Sequence, residues 1–128
     1  MKESHSIFAQ IADRISDRIL AGEYRPDELV PSVRTLAVEM NVNPTTAMRA
    51  IERLQQFGVL YSRRGVGCLV AHDAPALISE MRRHRFASTT LPAVFSEMLR
   101  LGISLDALVQ AYNEYMSNHS KNAQDETQ

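Results

Sequence analysis

The sequence has little cysteine and no long apolar run. Its 128 residues include one cysteine, Cys68, so no disulfide can form within the chain. Because Cys68 lies in an apolar, strand-like run, we expect a buried small hydrophobic residue rather than a redox sensor. No apolar run is long enough to cross a bilayer, and Met1 to Ser6 lack the pattern of a signal peptide. These absences predict a soluble, cytoplasmic protein without a membrane partner.

Arrangements typical of enzymes and metal sites are also absent. The four histidines, His5, His72, His84 and His119, lie far apart without the spacing of metal ligands. No serine, cysteine or carboxylate pair shows a nucleophile or acid–base arrangement. A chain of 128 residues with 45% hydrophobic content buries one modest core, which leaves no room for a large catalytic domain. We therefore predict no catalysis, no metal and no cofactor.

The formal net charge of −1 counts against a uniformly basic nucleic-acid binder. The distribution of charge is nevertheless uneven, because arginines recur between residues 31 and 70, at Arg34, Arg49, Arg53, Arg63 and Arg64. A chain with this local charge would bind a polyanion with moderate affinity and a gentle dependence on salt.

The clearest helix start in the sequence is Asn43-Pro44. Asparagine is a good N-cap, and proline suits the first helical position because that N–H has no partner there. At about 100° per residue, one side of this helix is apolar. The apolar side carries Ala47, Ala50, Ile51, Leu54 and Phe57, and the opposite side carries Thr45, Arg49, Glu52 and Gln56.

The polar side of this helix has side chains that suit DNA. The hydroxyls of Thr45 and Thr46 lie beside the free N–H groups of the first turn, where phosphate oxygens bind readily. Arg49, one turn later, can reach a base edge or another phosphate. The pattern predicts a recognition helix, although an ordinary surface helix with a solvated polar face has the same periodicity.

The flanking segments favour the first of these interpretations. Ser32 can cap a preceding helix, which Asn41 can end in the left-handed conformation. Strand-like runs at residues 59–62 and 68–71 are joined by a basic loop that contains two glycines, as in a hairpin. The order of helix, turn, helix and basic hairpin is that of a winged helix.

Five residues outside the recognition helix carry further expectations. Arg34 can contact a phosphate or the DNA groove, or it can form a surface ion pair. Arg63 and Arg64 are adjacent like charges at a tight turn, and a polyanion would relieve their repulsion. Gly65 and Gly67 permit positive φ or close approach to a phosphate, which is also compatible with a plain hairpin turn.

Amphipathic helical patterns stand before and after this unit. Residues 7–21 predict a first helix that closes the core. After the wing, Asp73 can cap one helix, Pro92 must kink or restart it with Thr89 or Thr90 as the cap, and Ser104 can cap the last helix. These C-terminal helices are too small for a core of their own, so we expect a homodimer with C2 symmetry. Packing onto the chain's own first helix is the alternative.

The predicted fold class is mainly α with a small β-hairpin wing. The predicted organisation is a winged helix-turn-helix DNA-binding domain over residues 1–72 and a helical dimerisation segment over residues 73–117. Residues 118–128 have no apolar periodicity and predict a disordered tail.

Several spaced motifs resemble a known family. PSVRTLA, VNPTT, MRAIERL, FGVLYSRRG and GVGCLV are similar to the winged-helix domain of GntR-family bacterial transcription regulators. The short helical tail with LGIS is similar to the YtrA-type subfamily, which lacks a large effector domain. The resemblance implies that a homodimer binds double-stranded DNA at a roughly palindromic operator. It also implies repression, often of a transporter operon near the regulator's own gene.

The resemblance also assigns positions. It aligns Ser32 and Arg34 with the family's Pro-Ser-x-Arg segment, and Thr45 and Thr46 with the first turn of the recognition helix. Arg49 falls in the subfamily's Met-Arg-Ala segment, and the two glycines match those of the wing. The full predicted DNA-binding set is Ser32, Arg34, Asn43, Thr45, Thr46, Arg49, Arg63, Arg64, Gly65 and Gly67.

Three departures from the family pattern affect this assignment. Pro44 stands where many members have a basic residue, so base reading should shift toward Thr45 and Arg49. Cys68 replaces a wing threonine, which would remove a hydroxyl contact to phosphate, and Ile51 replaces an aromatic residue.

Two alternatives remain open at this level. A winged helix can instead bind a protein or RNA, although RNA recognition usually adds exposed aromatic residues and the predicted face has none. A small-molecule effector is also open, although the sequence shows no convergent polar motif for its pocket.

Overall fold

Six helices, a π-helical turn and one hairpin follow each other along residues 6–126, the part of the chain that the computed structural model describes. Side chains are described through residue 122. The predicted fold class is confirmed. The elements are α1 (Ile7–Leu20), α2 (Val33–Met40), α3 (Pro44–Gln56), β1 (Leu60–Arg63), β2 (Gly67–Val70), α4 (Ala74–Arg85), the π-helical turn (Phe86–Thr90), α5 (Leu91–Leu101) and α6 (Leu105–Glu126).

Local hydrogen bonds define the helix-turn-helix. Ser32 Oγ accepts the N–H of Thr35 at 3.2 Å and caps α2, and Asn43 Oδ1 accepts the N–H of Thr45 at 2.8 Å and caps α3. Asn41 ends α2 with φ 54° and ψ 51°, in the left-handed region. Both predicted caps and the predicted left-handed end are confirmed. The turn between the two helices is therefore set by residues within it.

One apolar core joins α1, α2, α3, the hairpin and the first half of α4. The core is built on α3, which packs against both α1 and α2. Phe57, predicted on the buried side of α3, is instead 47% exposed because it lies at the C-cap, past the last helical residue. The largest fully buried side chains are Ile15, Leu36, Leu54, Val59, Leu60, Val70 and Ile78.

The wing is an antiparallel pair in which Leu60 faces Val70 and Arg63 faces Gly67. The segment before α2 adds a third, short edge, because Leu29 forms a bridge to Leu69 and the N–H of Val30 donates to Cys68 C=O at 2.9 Å. This edge anchors the base of the wing next to the start of α2.

Gly65 and Gly67 both have positive φ, as predicted. Gly67 has φ 129°, and a Cβ there would lie 3.0 Å from Leu29 Cδ2. Gly65 has φ 78° and faces open space. The hairpin therefore needs glycine at both positions for its backbone, and at Gly67 also for its packing.

The chain divides into two compact units, Met1–His84 and Arg85–Gln128. The first unit continues past residue 72, where the sequence analysis divides the chain, because Ala74 and Ile78 of α4 are fully buried in its core. Arg82 also ties α4 to α1, since its Nη2 lies 2.7 Å from Asp17 Oδ1 and 3.1 Å from Asp13 C=O. This part of α4 therefore packs onto α1 of the same chain, which was the alternative to packing in a dimer.

Within the second unit, a π-helical turn precedes α5. Thr90 has helical φ and ψ and forms no side-chain cap, so the predicted capping by Thr89 or Thr90 is wrong. Pro92 lacks an N–H donor, and the wider π turn lets the backbone remain helical without that bond. Gly102 ends α5 with φ 67°, and Ser104 Oγ accepts the N–H of Ala107 at 3.1 Å, as predicted for the start of α6.

The last helix is longer than the sequence analysis predicts. α6 runs to Glu126, whereas a disordered tail was expected over residues 118–128; residues 127 and 128 lie outside the described part. The segment 118–126 contains no glycine or proline to end a helix, and the rings of Tyr115 and His119 stack with centroids 6.0 Å apart. Because polar residues are common both in solvated helices and in disordered tails, the composition of this segment does not distinguish the two. Within residues 6–126, no helix is long and apolar enough to span a membrane.

The left-handed end of α2 makes a test of local backbone energy. Asn41→Ala should lower the free energy of unfolding by about 1 kcal/mol, because alanine is strained in this conformation. Asn41→Gly should stay close to the parent value, since glycine adopts positive φ without strain. Urea denaturation followed by circular dichroism measures both. An equal loss in the two variants would mean that the amide side chain, rather than the backbone, sets the stability at this position.

Candidate nucleic-acid interface

The start of α2 joins the wing and α3 in one exposed surface. A shallow groove between α2 and α3 is lined by Val33, Pro44, Thr45, Met48, Arg49 and Glu52. A second cavity, between α2 and the wing, is lined by residues that include Ser32, Val33, Val66 and Gly67. Val33 lines both. We call the exposed residues around them the α2–α3–wing surface.

The first turn of α3 contributes hydroxyls and one free N–H to this surface. Thr45 is exposed, whereas Thr46 is half-buried. Asn43 is exposed, but its Oδ1 accepts the N–H of Thr45 at 2.8 Å and its C=O accepts the N–H of Ala47 at 3.1 Å. Pro44 has no N–H, so the described residues leave the N–H of Thr46 unbonded in this turn. This N–H and the positive end of the helix dipole favour an anion.

Arg49 and Arg53 of α3 both lie against Phe8 of α1. The guanidinium carbon of Arg49 is 5.1 Å from the centroid of the Phe8 ring, and that of Arg53 is 5.9 Å away. Arg53 is also 5.7 Å from the centroid of Phe57. The sequence analysis proposed neither Phe8 nor Arg53 as a site residue. The spacing of Arg53, four residues after Arg49, was a signal for it, but no local pattern pointed to Phe8.

The start of α2 places Ser32 and Arg34 on the exposed side. Ser32 Oγ caps α2 and lies 3.0 Å from Thr35 Oγ1, so its hydroxyl is already used within the helix. Arg34 is exposed. None of the ion pairs formed among the described side chains involves Arg34, so the alternative of a surface ion pair has no support there.

The wing tip carries two arginines. The guanidinium carbon of Arg63 is 5.9 Å from the centroid of the Tyr61 ring, and Arg64 is exposed in the turn. The N–H of Val66 donates to Arg63 C=O at 3.0 Å and closes that turn. Neither arginine forms an ion pair within the part of the chain whose side chains are described.

Two arginines elsewhere in the first unit, Arg18 and Arg82, connect helices. Arg18 of α1 lies 3.1 Å from Glu39 and donates to Tyr24 Oη at 2.7 Å, and these bonds, with the one to Tyr24 the largest, raise the pKa of Arg18. Arg82 pairs with Asp17. The arginines that connect helices thus have carboxylate partners, whereas those of the α2–α3–wing surface do not within residues 6–122.

Cys68 lies between the wing and α3. Gln55 Nε2 is 3.7 Å from Cys68 Sγ and donates to Ser62 Oγ at 2.7 Å, so one amide links α3 to both strands. Burial raises the pKa of the Cys68 thiol, and the hydrogen bond from Gln55 lowers it by less. The thiol is half-buried beside the core. Among the described residues, no group of His, Cys, Asp and Glu could hold a metal ion.

A helix-turn-helix whose second helix begins with exposed hydroxyls and an arginine, followed by a basic hairpin, defines a winged-helix DNA-binding protein. The family profile described as "Bacterial regulatory proteins, gntR family" matches residues 8–70. A crystal structure of a GntR-family transcriptional regulator from Bacteroides thetaiotaomicron matches with a TM-score of 0.74 and 38% identity, over 89% of this chain and 99% of that one. The chain belongs to the GntR family of bacterial regulators.

Two regulators of Bacillus subtilis (strain 168) are also similar. The HTH-type transcriptional regulator YhcF is 28% identical over 114 residues, which cover 89% of this chain and 93% of YhcF. The HTH-type transcriptional repressor YtrA is 30% identical over 79 residues, covering 62% of this chain and 61% of YtrA. The family resemblance inferred from the sequence is confirmed. The chain is a DNA-binding transcription regulator and not an enzyme.

The raised pKa of Cys68 predicts slow chemistry at this thiol. Because the thiolate is the reactive form, alkylation by iodoacetamide near pH 8 should be several-fold slower in the folded chain than in urea. Burial raises the pKa of Cys68 in the folded chain. The contribution of this thiol to the free energy of unfolding is therefore fully present below the pKa of the unfolded thiol, and it is lost as pH rises through the folded pKa. Mass spectrometry of timed aliquots gives the rate. Equal rates in the two states would contradict the burial of Cys68.

Proposed function

We propose that this regulator is a homodimeric repressor that binds a roughly palindromic operator. The observation that carries the proposal is the α2–α3–wing surface. Thr45 is exposed on it, and Arg49, Arg63 and Arg64 form no ion pair among the described side chains. Cations that the fold leaves unpaired are available to phosphates and base edges.

In this proposal, α3 enters the major groove with its N-terminal residues leading. Thr45 Oγ1 and the free N–H of Thr46 bind phosphate oxygens, and Arg49 reaches a base edge. The groove between α2 and α3 brings Arg49, Thr45 and Glu52 to one side. The acceptor-only carboxylate of Glu52 would repel nearby phosphate and can accept from a cytosine amino group, which limits where α3 settles.

The wing supplies contacts that do not depend on sequence. Arg63 and Arg64 lie at the tip of the hairpin, and Gly65, where a Cβ would point into open space, leaves room beside them. A tip of this kind suits the phosphates beside the groove or the minor groove itself. Backbone contacts fix orientation, whereas the contacts of α3 specify the sequence.

The second unit supports dimerisation. Large apolar side chains of α5 and α6 are exposed within it, and Leu99 is 86% exposed. Along α6, Leu105, Leu108, Tyr112 and Tyr115 recur at alternating steps of three and four residues, which is the spacing of a helix seam. Exposed apolar stripes of this kind mark interaction sites. A second copy would cover them and give two recognition helices related by C2 symmetry.

The proposals that the regulator represses and that it acts on a transporter operon are based on similarity alone. YtrA is named as a transcriptional repressor, and a repressor needs only to occupy its operator. The resemblance to YtrA-type regulators favours a transporter operon near the regulator's own gene.

Footprinting over the region upstream of the protein's own gene tests this function. A dimer should protect two half-sites whose centres lie about one helical turn apart, since each α3 enters a successive major groove. A scrambled duplex of equal length and composition is the control. Absence of any protected region, with equal affinity for both duplexes, would refute sequence-specific binding.

The wing arginines give a prediction about salt. Changing both Arg63 and Arg64 to alanine should weaken operator and scrambled duplexes by similar factors, because phosphate contacts carry no sequence information. Each lost contact should flatten the slope of log K against log salt by about one. Fluorescence anisotropy across NaCl concentrations measures the slope. The matched control is Arg14→Ala, an exposed α1 arginine that lines neither groove. An unchanged slope in the double variant would remove the wing from the interface.

The exposed leucine of α5 gives a prediction about assembly. Leu99→Glu should convert the dimer to a monomer, because the charge would be buried unpaired in the interface. The fold of one chain should be unaffected, since Leu99 is 86% exposed within it. The control is Val38→Glu, which changes a residue 77% exposed in the first unit and should leave the dimer intact. Light scattering after size exclusion gives the mass. A parent chain that is already monomeric at micromolar concentration would refute the dimer.

A further inference from the structure

The Phe8 ring at the start of α1 has no role in the function proposed so far. It is half-buried and lies against two arginines of α3, with centroid distances of 5.1 Å to Arg49 and 5.9 Å to Arg53. Both distances are within the range of an attractive contact between a guanidinium and an aromatic ring. The ring therefore connects the first turn of α1 to the helix proposed to read DNA.

Two cations one helical turn apart should repel each other. Arg49 and Arg53 are an i,i+4 pair of like charge, which destabilises a helix by itself. Neither forms an ion pair among the described side chains, unlike Arg18 and Arg82. The negative face of the Phe8 ring offsets part of this repulsion. The fold thus holds two positive charges along α3, Arg49 in its second turn and Arg53 in its last, without neutralising them.

A ring contact leaves an arginine able to bind an anion. A ring attracts the guanidinium through its charge, and the five N–H donors form a planar fork that the ring does not occupy as a carboxylate would. Those donors remain available for the paired acceptors on the edge of a guanine. A carboxylate partner would instead occupy the same donors. Arg49 also lines the groove shared with Thr45, so its side chain extends between Phe8 and the α2–α3–wing surface.

We infer that Phe8 is a positioning residue for DNA recognition. Its ring holds the Arg49 side chain in one orientation before DNA arrives, so less rotamer freedom is lost on binding. Arg53, on the same ring, keeps a second positive charge beside the first. This inference rests on the proposed function, because it requires Arg49 to contact the operator. It adds a specificity determinant outside the helix-turn-helix and the wing.

A double-mutant cycle in the full-length chain tests the coupling. The variants are Phe8→Leu, Arg49→Ala and the double variant, and the probes are the footprinted duplex and its scrambled counterpart. Leucine keeps an apolar side chain at the position and removes the ring. Phe8→Leu should weaken operator binding about two- to fivefold, the size expected of an exposed cation–π contact. In the Arg49→Ala background, the same change should have no effect, and Phe8→Tyr should retain parent affinity.

The matched control is Phe57→Leu. The guanidinium carbon of Arg53 lies 5.7 Å from the Phe57 centroid, whereas the ring that Arg49 contacts among the described residues is that of Phe8. Any loss of affinity caused by Phe57→Leu should therefore be the same with and without Arg49. Thermal melts of every variant separate folding from binding. A ring that only stabilises the fold would lower the melting temperature without changing the ratio of operator to scrambled affinity.

The outcomes separate the inference from the function on which it rests. If Arg49→Ala weakens the operator and Phe8→Leu costs the same in both backgrounds, Phe8 has a structural role and only the inference fails. Tighter binding by Phe8→Leu would mean that the ring withholds Arg49 from DNA, which also overturns it. If Arg49→Ala leaves operator affinity unchanged, or no duplex is bound, both the base-reading role of Arg49 and the inference fail.

Discussion

Burial of the apolar side of α3 against α1 and α2 is the constraint on which the rest of the structure depends. Ala47, Ala50 and Leu54 are fully buried and Ile51 nearly so. Small residues at two of these positions let the helices approach closely, and the larger ones fill the space between them. Because the helical repeat fixes the opposite side once one side is buried, the exposure of Thr45, Arg49 and Glu52 follows from this packing.

The use of arginine in the fold reconciles a near-neutral chain with a DNA-binding role. The net charge of −1 is a sum over charged residues that form ion pairs and charged residues that do not. Arg18 and Arg82 connect helices and are balanced by Glu39 and Asp17, so they add little to the field outside the protein. The arginines of α3 and the wing are balanced by no carboxylate within residues 6–122. A local field of this kind steers a polyanion to one surface, while the remaining residues carry the excess of negative charge that brings the total to −1.

Most elements of the first unit could be predicted from the sequence, and the failures have common causes. Ser32, Asn41 and Asn43 act within a few residues of themselves, so their caps were predictable. Phe57 was misassigned because periodicity continues past the point where the helix ends. The tail beyond Ser117 was misassigned because hydrophobic patterning detects burial, and residues 118–122, whose side chains are exposed, leave no such pattern. Of the proposed site, the helix and wing positions came from the sequence, whereas Phe8 and the role of Arg53 did not.

The sequence by itself determined the N-caps of α2 and α3, the left-handed end of α2, which side of α3 is apolar, and that the wing turn needs glycine. Each of these depends on residues close together in the chain, where capping geometry and helical period leave few choices. Only the tertiary structure decided that Phe8 lies on Arg49, that Gln55 links α3 to both strands, and that α4 completes the first core. Those contacts join residues distant in sequence, and their distances are set by how the whole core packs rather than by any local pattern.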